Sequence, residues 1–292
     1  MTYTNGNANG HNGHAATPTP AATRLRKMLT ESDELIVMPG VYDGFSARIA
    51  LEVGFDGLYM TGAGTCASKL GQPDLGFASL NDMREHAEMI ANLNPRIPLI
   101  ADADTGYGGP NMVARTVAQY HRSGVAGLHI EDQIQTKRCG HLGGKEVVSV
   151  DVFQQRISAA AAARDKLASD IVIIARTDAL QTHGFEEAIR RLKAAAAAGA
   201  DVAFLEGVTT KEEAREVCLA EARELGFRII IYPFAALAPA YEAIRSTYLR
   251  IKETGVTDID PTFTPKKLFT VVGLKEATAV DVAAGGQLYE KV

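Results

Sequence analysis

The chain has 292 residues, 46% hydrophobic and 22% charged, with a formal net charge of -5. That length is enough for one large domain with a sizeable core, and the composition is that of a globular protein. The acidic balance argues against nucleic acid or an anionic membrane as partner, and three widely spaced cysteines make no disulfide framework, which suits a reducing compartment.

Residues 1–23 contain no Lys, Arg, Asp or Glu. They lack the basic start and apolar core of a signal peptide and the arginines of a transit peptide. They read as a disordered tail, and the expected location is cytoplasmic. His11 and His14 offer at most a weak metal site in a flexible segment.

From residue 24 onward a short apolar run alternates with an amphipathic stretch. The runs are ELIVMPG (34–40), GLYMTGAG (57–64), PLIADADTG (98–106), GLHIEDQ (127–133), IVIIARTDA (171–179), VAFLEG (202–207) and FRIIIYP (227–233). They show no hydrophobic alternation, as expected of strands buried on both faces in a parallel sheet. The stretches between them predict helices at Gly44–Val53, Met112–Ser123, Asp151–Ala168, Phe185–Ala198 and Thr210–Glu224. No run approaches the roughly 20 residues needed to cross a bilayer.

This order predicts an α/β fold of the (β/α)8 TIM-barrel type over residues 24–254, with a C-terminal helical or irregular extension at 255–292. Only seven strands can be counted. Between VAFLEG and FRIIIYP there is room for one crossover helix and no further strand, so the seventh βα unit is missing. A barrel carries its site at the C-terminal strand ends. Asp102, Asp104, Glu131, Arg176, Asp178 and Glu206 all close a strand.

Asp102 and Asp104 are two apart at a strand end, so their side chains share a face. Two such carboxylates repel unless a cation or proton lies between them. Hard oxygen donors without clustered His or Cys suit Mg²⁺, or Mn²⁺, better than Zn²⁺. Asp74 and Glu131 can act through metal-bound waters. The alternative is that one aspartate caps the next helix. The stretch KRCGHLGGK places Lys137 and Arg138 beside Cys139. These cations are expected to lower the thiol pKa and make it a ready proton donor. Gly140, Gly143 and Gly144 let the loop bend as a lid. An ordinary basic loop with an incidental cysteine is the competing reading. Arg176 suits a carboxylate clamp, and the turn at Gly62, Ala63 and Gly64 offers N–H groups to an anion. No nucleotide-binding pattern is present.

MPGVYDGFSARIALEVGFDGLYMTGAG, QPDLG, ADADTGYGG, GLHIEDQ, KRCGH, ARTDA and FLEG occur in order at these strand ends. With them the chain resembles the isocitrate lyase / phosphoenolpyruvate mutase superfamily, and in KRCGH its methylisocitrate lyase and dimethylmalate lyase members. The resemblance implies a barrel whose last helix swaps with a neighbour, giving a homo-oligomer built as a dimer of dimers. It implies Mg²⁺ and a small dicarboxylate substrate. Thr61, Gly62 and Ala63 would hold a substrate carboxylate, with Tyr42 ordering water or substrate. Asp102 and Asp104 would serve the metal, with Asp74 and Glu131 in its water shell. Cys139 and Gly140 would lie on the gating loop, and Arg176 and Glu206 would contact substrate.

The implied reaction is retro-aldol cleavage of a 2-hydroxy dicarboxylate. Cys139 protonates the departing enolate, and Lys137, Arg138 and His141 steady the charge. The resemblance implies a serine in oxaloacetate hydrolases where Pro233 closes the last strand here, which argues against that alternative activity. Ala238 stands where a methylisocitrate lyase would carry an arginine, so a substituted malate is preferred. Loss of the seventh unit departs from the family pattern and raises a third reading, a non-catalytic homologue.

Overall fold

The computed structural model describes residues 19–207, 228–260 and 262–287. α1 (Ala21–Thr30) leads into β1 (Ile36–Val41), α2 (Gly44–Val53) and β2 (Leu58–Met60). The helical turn α3 (Gly62–Thr65) runs on into a π-helical turn at Cys66–Leu70, and α4 (Leu80–Ala91) precedes β3 (Leu99–Asp102). α5 (Pro110–Arg122), β4 (Gly127–Glu131), α6 (Val150–Lys166), β5 (Val172–Thr177), α7 (Leu180–His183), α8 (Phe185–Ala197) and β6 (Val202–Leu205) continue the alternation. β7 (Ile229–Tyr232) is followed by α9 (Leu237–Thr254), α10 (Pro265–Val271) and α11 (Leu274–Ala283). Each apolar run becomes a strand. The tail assignment is corrected at its end, because the helix starts at Ala21 and residues 21–23 are part of it.

Local chemistry sets the boundaries. Asp43 accepts from Ser46 N–H at 2.7 Å while Ser46 Oγ accepts from Asp43 N–H, a capping box that starts α2. Gly54 ends α2 with φ 95°, a left-handed value that favours glycine.

The seven strands form one curled parallel sheet in the order β6-β5-β4-β3-β2-β1-β7. Every residue of β2, β3, β4 and β5 is buried, which is why their sequences show no alternation. The pleat still sorts the side chains. Leu58, Met60, Leu99, Leu128, Ile130, Ile173 and Ala175 pack outward against the helices. Tyr59, Ile100, Val172 and Ile174 point into the barrel with Ile36 and Met38. α1 closes the lower end, where Leu25 is fully buried in this inner cluster. Arg26 secures it by donating to the Asp170 and Ile171 carbonyls and to Asp201. Burying a leucine in this way stabilises by about 1.5–3 kcal/mol.

Among the described residues the barrel is not closed: β6 pairs only with β5, and β7 only with β1. No residue of β6 or β7 is buried. The seam falls where the sequence lacks its seventh βα unit. The expected helix at Thr210–Glu224 lies outside the described residues.

Candidate active site

The inner face changes from apolar to ionic as each strand ends. Ile100 is followed two residues on by Asp102, His129 by Glu131, Ile174 by Arg176 and Phe204 by Glu206. The period-two pleat therefore brings residues scattered over more than a hundred positions to one rim. Asp74, Asp102, Asp104, Glu131, Arg176 and Asp178 are all buried there.

Neither aspartate of the pair caps the following helix: the N-cap of α5 is Gly109, with no side-chain cap. Asp102 Oδ1 instead accepts from the Asp104 N–H at 2.8 Å. Asp104 has φ 47° and Tyr107 φ 62°. A left-handed conformation costs a non-glycine residue roughly 1–2 kcal/mol, and such strain concentrates at functional sites. Gly62 has no room for a side chain, because a Cβ would run into the Asp102 carboxylate. The turn that follows β2 thus lies directly against Asp102, and its first amides, Gly62 and Ala63, fall outside the helix's own bonding. Thr61 caps this turn by accepting from Gly64 N–H at 3.3 Å. Tyr42 is half-buried, and its Cβ lies where a side chain on Gly64 would be.

The carboxylates are short of counter-charge. Burial pushes Asp104 up to about 7, with Lys137 opposing and Asp102 and Asp74 adding to it. Burial also raises Asp102, and raises Glu131 well above the usual carboxylate range. Beneath them, burial holds His129 neutral, with Nε2 2.9 Å from Tyr59 Oη.

Lys137 turns inward. Its Nζ lies 2.6 Å from Asp74 Oδ1 and 2.5 Å from Asp104 Oδ1. Arg138 is exposed and donates to the Gly143 carbonyl at 3.2 Å, within its own loop. The expectation that these two cations acidify Cys139 is reversed. Burial raises the thiol pKa, and the opposing pull of the His141 main chain, Lys137 and Arg176 does not overcome it. The group is a protonated thiol at neutral pH, already in the form that donates. His141 lies with Nδ1 3.9 Å from Cys139 Sγ and its ring edge-on to Phe234 at 5.1 Å.

The loop is seated on the strand tips. Cys139 N–H donates to the Asp74 carbonyl at 2.9 Å. Gln133 accepts from Arg138 N–H at 3.1 Å and donates to the Arg138 carbonyl at 2.8 Å and to Glu131 Oε1 at 3.0 Å. A Cβ on Gly140 would strike Glu206 Oε1 and Arg176 Nη2. The structure therefore brings together twelve of the expected residues at one rim: Thr61, Gly62, Ala63, Asp74, Asp102, Asp104, Glu131, Lys137, Cys139, Gly140, Arg176 and Glu206. Arg138 points elsewhere.

Arg176 is held from three sides. Its Nε and Nη2 donate to Asp178 at 2.9 and 3.1 Å, Glu131 lies 3.4 Å away and Glu206 3.6 Å away. Its guanidinium also rests over the Phe204 ring. The bonds to Asp178 use Nε and Nη2, which leaves Nη1 outside that pair as a donor edge for an anion.

Several polar groups of this rim escape a reading of the sequence. Lys145 is fully buried against Asp178. Asp132 accepts from Thr177 Oγ1 at 2.6 Å, Asp178 N–H at 2.9 Å and Arg191 Nη1 at 3.1 Å. A lysine after two glycines, or an arginine on a helix, ordinarily faces water. For Asp132 and Gln133 the position just past a strand tip was a usable signal.

A divalent cation fits this donor set. Asp74, Asp102, Asp104, Glu131, Asp178 and Glu206 face Lys137, Lys145 and Arg176, three cations against six carboxylates. Glu131 Oε2 is buried with no hydrogen-bond partner. Among the described residues no three His, Cys, Asp or Glu side chains converge on one point. Mg²⁺ does not require that, since it keeps several waters and takes one or two carboxylates.

Comparison with known proteins finds relatives of the same fold. The phosphoenolpyruvate phosphomutase family profile matches residues 25–252. A crystal structure of a 2,3-dimethylmalate lyase, a PEP mutase/isocitrate lyase superfamily member, is 56% identical with a TM-score of 0.90, over 94% of this chain and 99% of that one. A structure of an oxaloacetate acetylhydrolase in complex with the inhibitor 3,3-difluorooxalacetate is 55% identical with a TM-score of 0.90, over 93% and 99%. The 2,3-dimethylmalate lyase of Eubacterium barkeri is 35% identical over 89% of this chain and 96% of its own length.

Proposed function

The chain belongs to the isocitrate lyase / phosphoenolpyruvate mutase superfamily, and from that premise we propose that it is a carbon–carbon lyase cleaving a small 2-hydroxy dicarboxylate of the substituted malate or methylisocitrate type. The observation that carries this reading is the Cys139 loop seated on the rim where buried carboxylates gather. Similarity to a 2,3-dimethylmalate lyase supports it and favours a substituted malate.

In this reading one substrate carboxylate is received by Arg176 Nη1 and another by the Gly62 and Ala63 amides, with Tyr42 beside them. A carboxylate of the rim takes the 2-hydroxyl proton, and the O–H electron pair forms a new C=O bond as the C2–C3 bond breaks. A 2-oxo acid departs, and the other fragment remains as a carboxylate enolate. Cys139 gives its proton to that carbon, and Lys137 and His141 steady the charge. Glu131, Asp74, Asp102 and Asp104 would hold Mg²⁺, or Mn²⁺, directly or through water. A cation bound there supplies Lewis-acid stabilisation of developing oxyanion charge. Raised carboxyl pKa values and the short supply of counter-charge support that assignment.

The test is incubation with 2,3-dimethylmalate, 2-methylisocitrate and Mg²⁺, with release of 2-oxo acid as readout. No metal-dependent turnover that also requires Cys139 would sink the proposal. Two other readings each have one observation behind them. Likeness to an oxaloacetate acetylhydrolase favours hydrolysis of oxaloacetate to oxalate and acetate, which an oxalate assay detects. The open seam between β6 and β7 favours a non-catalytic homologue.

The same proposal includes a dimer of dimers formed by exchange of the C-terminal helices, and a cytoplasmic location. α9, α10 and α11 contain no buried residue, and α9 carries an apolar groove of about 390 Å³ lined by Tyr241, Ile244, Tyr248 and Leu249. Such a face suits a second copy of the chain. Among the described residues no helix is long and apolar enough to cross a membrane.

A further inference from the structure

One buried cation has no task in that mechanism. Lys145 follows the glycines of the cysteine loop, and its side chain is 0% exposed. Its Nζ donates to the Gly140 carbonyl at 2.8 Å and to Asp178 Oδ1 at 2.9 Å. Asp178 holds Arg176 through both of its oxygens. A single ammonium therefore joins the main chain next to Cys139 to the guanidinium that faces the substrate position.

The geometry on the other side of the thiol completes the arrangement. Cys139 N–H is tied to the Asp74 carbonyl, and the Gly140 carbonyl is tied to Lys145. Cys139 is thus pinned from both flanks, by the β2 side of the rim and by the β5 side. Stability is a weak account of such a residue, because a buried ion pair gains little over an apolar replacement of the same size. Direction is the better account. The ammonium has its donors aimed at two acceptors that belong to different parts of the site.

We propose that Lys145 is a positioning residue that couples the loop to the carboxylate clamp. By holding Asp178 it fixes the orientation of Arg176, and by holding Gly140 it keeps Cys139 above the rim. Loss of Lys145 releases both at once. The consequence for turnover rests on Cys139 being the proton donor, whereas the consequence for the loop does not.

The experiment compares wild type with Lys145→Met and Lys145→Arg. The first readout is the rate of iodoacetamide modification at Cys139, followed by peptide mass spectrometry without substrate or metal. Removing a nearby cation disfavours thiolate and by itself slows alkylation. A rise therefore reports opening of the loop. Lys145→Met is expected to raise the rate about tenfold, and to lower kcat about 10²-fold, the scale of an ångström misplacement, with a smaller change in KM. Lys145→Arg, which restores a cation, is expected to recover much of both. A rate at Cys139 unchanged from wild type in folded Lys145→Met overturns the proposal. If that variant does not fold, Lys145→Gln is read the same way, since its neutral amide stops one bond short of the Nζ position, and an unchanged rate there also overturns it. Absence of turnover in wild type would defeat the lyase reading, and the alkylation result would still decide the role of Lys145.

Discussion

Gly140→Ala isolates the seating of the loop from its chemistry. Gly140 does not adopt the left-handed conformation, so alanine meets no backbone strain there. The obstacle is space. A Cβ would lie 2.5 Å from Glu206 Cδ, where ordinary contact begins at 3.4 Å. Either the loop withdraws by about 1 Å or the Glu206 and Arg176 side-chain ends give way, and either misplaces a group of the rim, which can cost about 10²-fold in rate. Withdrawal also strains the 2.8 Å bond from Lys145. Overpacking of this kind costs about 1–3 kcal/mol, partly offset by about 0.4–1 kcal/mol from a stiffer unfolded chain. The net shift in Tm should be only a few degrees for a domain this large. The assay is kcat and KM for the dicarboxylate, with Tm by calorimetry. Gly143→Ala is the control, because a Cβ there meets nothing within 4 Å and its φ is not left-handed. Wild-type kcat in Gly140→Ala, or an equal loss in Gly143→Ala, would refute the reasoning.

Cys139→Ser should lower kcat by about 10²–10⁴-fold, the usual contribution of a positioned acid; 2-oxo acid release measures it, and turnover within a few-fold of wild type would remove Cys139 from the mechanism. The pH dependence of iodoacetamide modification at Cys139 should have its midpoint above the ordinary 9.0, because burial raises the thiol; a midpoint near neutrality contradicts the seated loop. Asp104 is raised to about 7 from 3.8. Folding therefore favours its protonated form, and the penalty of an ionised buried carboxyl is present above about 7 and fully relieved below the unfolded value. In metal-free protein the Tm should rise from about pH 8 to about pH 5.5, and Mg²⁺ should raise it more at the higher pH, where the ligands are ionised. Differential scanning fluorimetry checks both, and an equal Mg²⁺ effect at the two pH values counts against Asp104 as a metal partner. Arg191→Met strips Asp132 of its buried cation and should cost about 3–5 kcal/mol in a denaturant titration.

Strand positions were legible because apolar runs bounded by small and charged residues have few other uses. The missing unit was legible too, because spacing alone decides whether a strand can fit. The rim residues followed from the rule that barrel strands end in the site. The direction of side chains in the cysteine loop was not legible. Alternation assigns Lys137, Cys139 and His141 to one face only if the loop is extended. Here it turns, burying Lys137 and leaving His141 exposed. The sign of the thiol shift was missed for the same reason. A count of nearby cations in sequence says nothing about how much water the fold removes, and burial outweighed charge. Lys145 gave no signal because nothing local marks a lysine that will be enclosed by elements distant in sequence.

A sheet hydrogen-bonded all the way round has no first strand to lose, since each can detach only by breaking two ladders. Among the described residues β6 and β7 are each bonded along one side, which gives this ribbon two ends from which amide protons can exchange one strand at a time. Protection should climb from β7 through β1 and β2, and from β6 through β5 and β4, toward a maximum at β3. The two aspartates of ADAD stand at the tip of that slowest-exchanging middle, whereas Glu206, on the β6 side, opens to solvent with the frayed end.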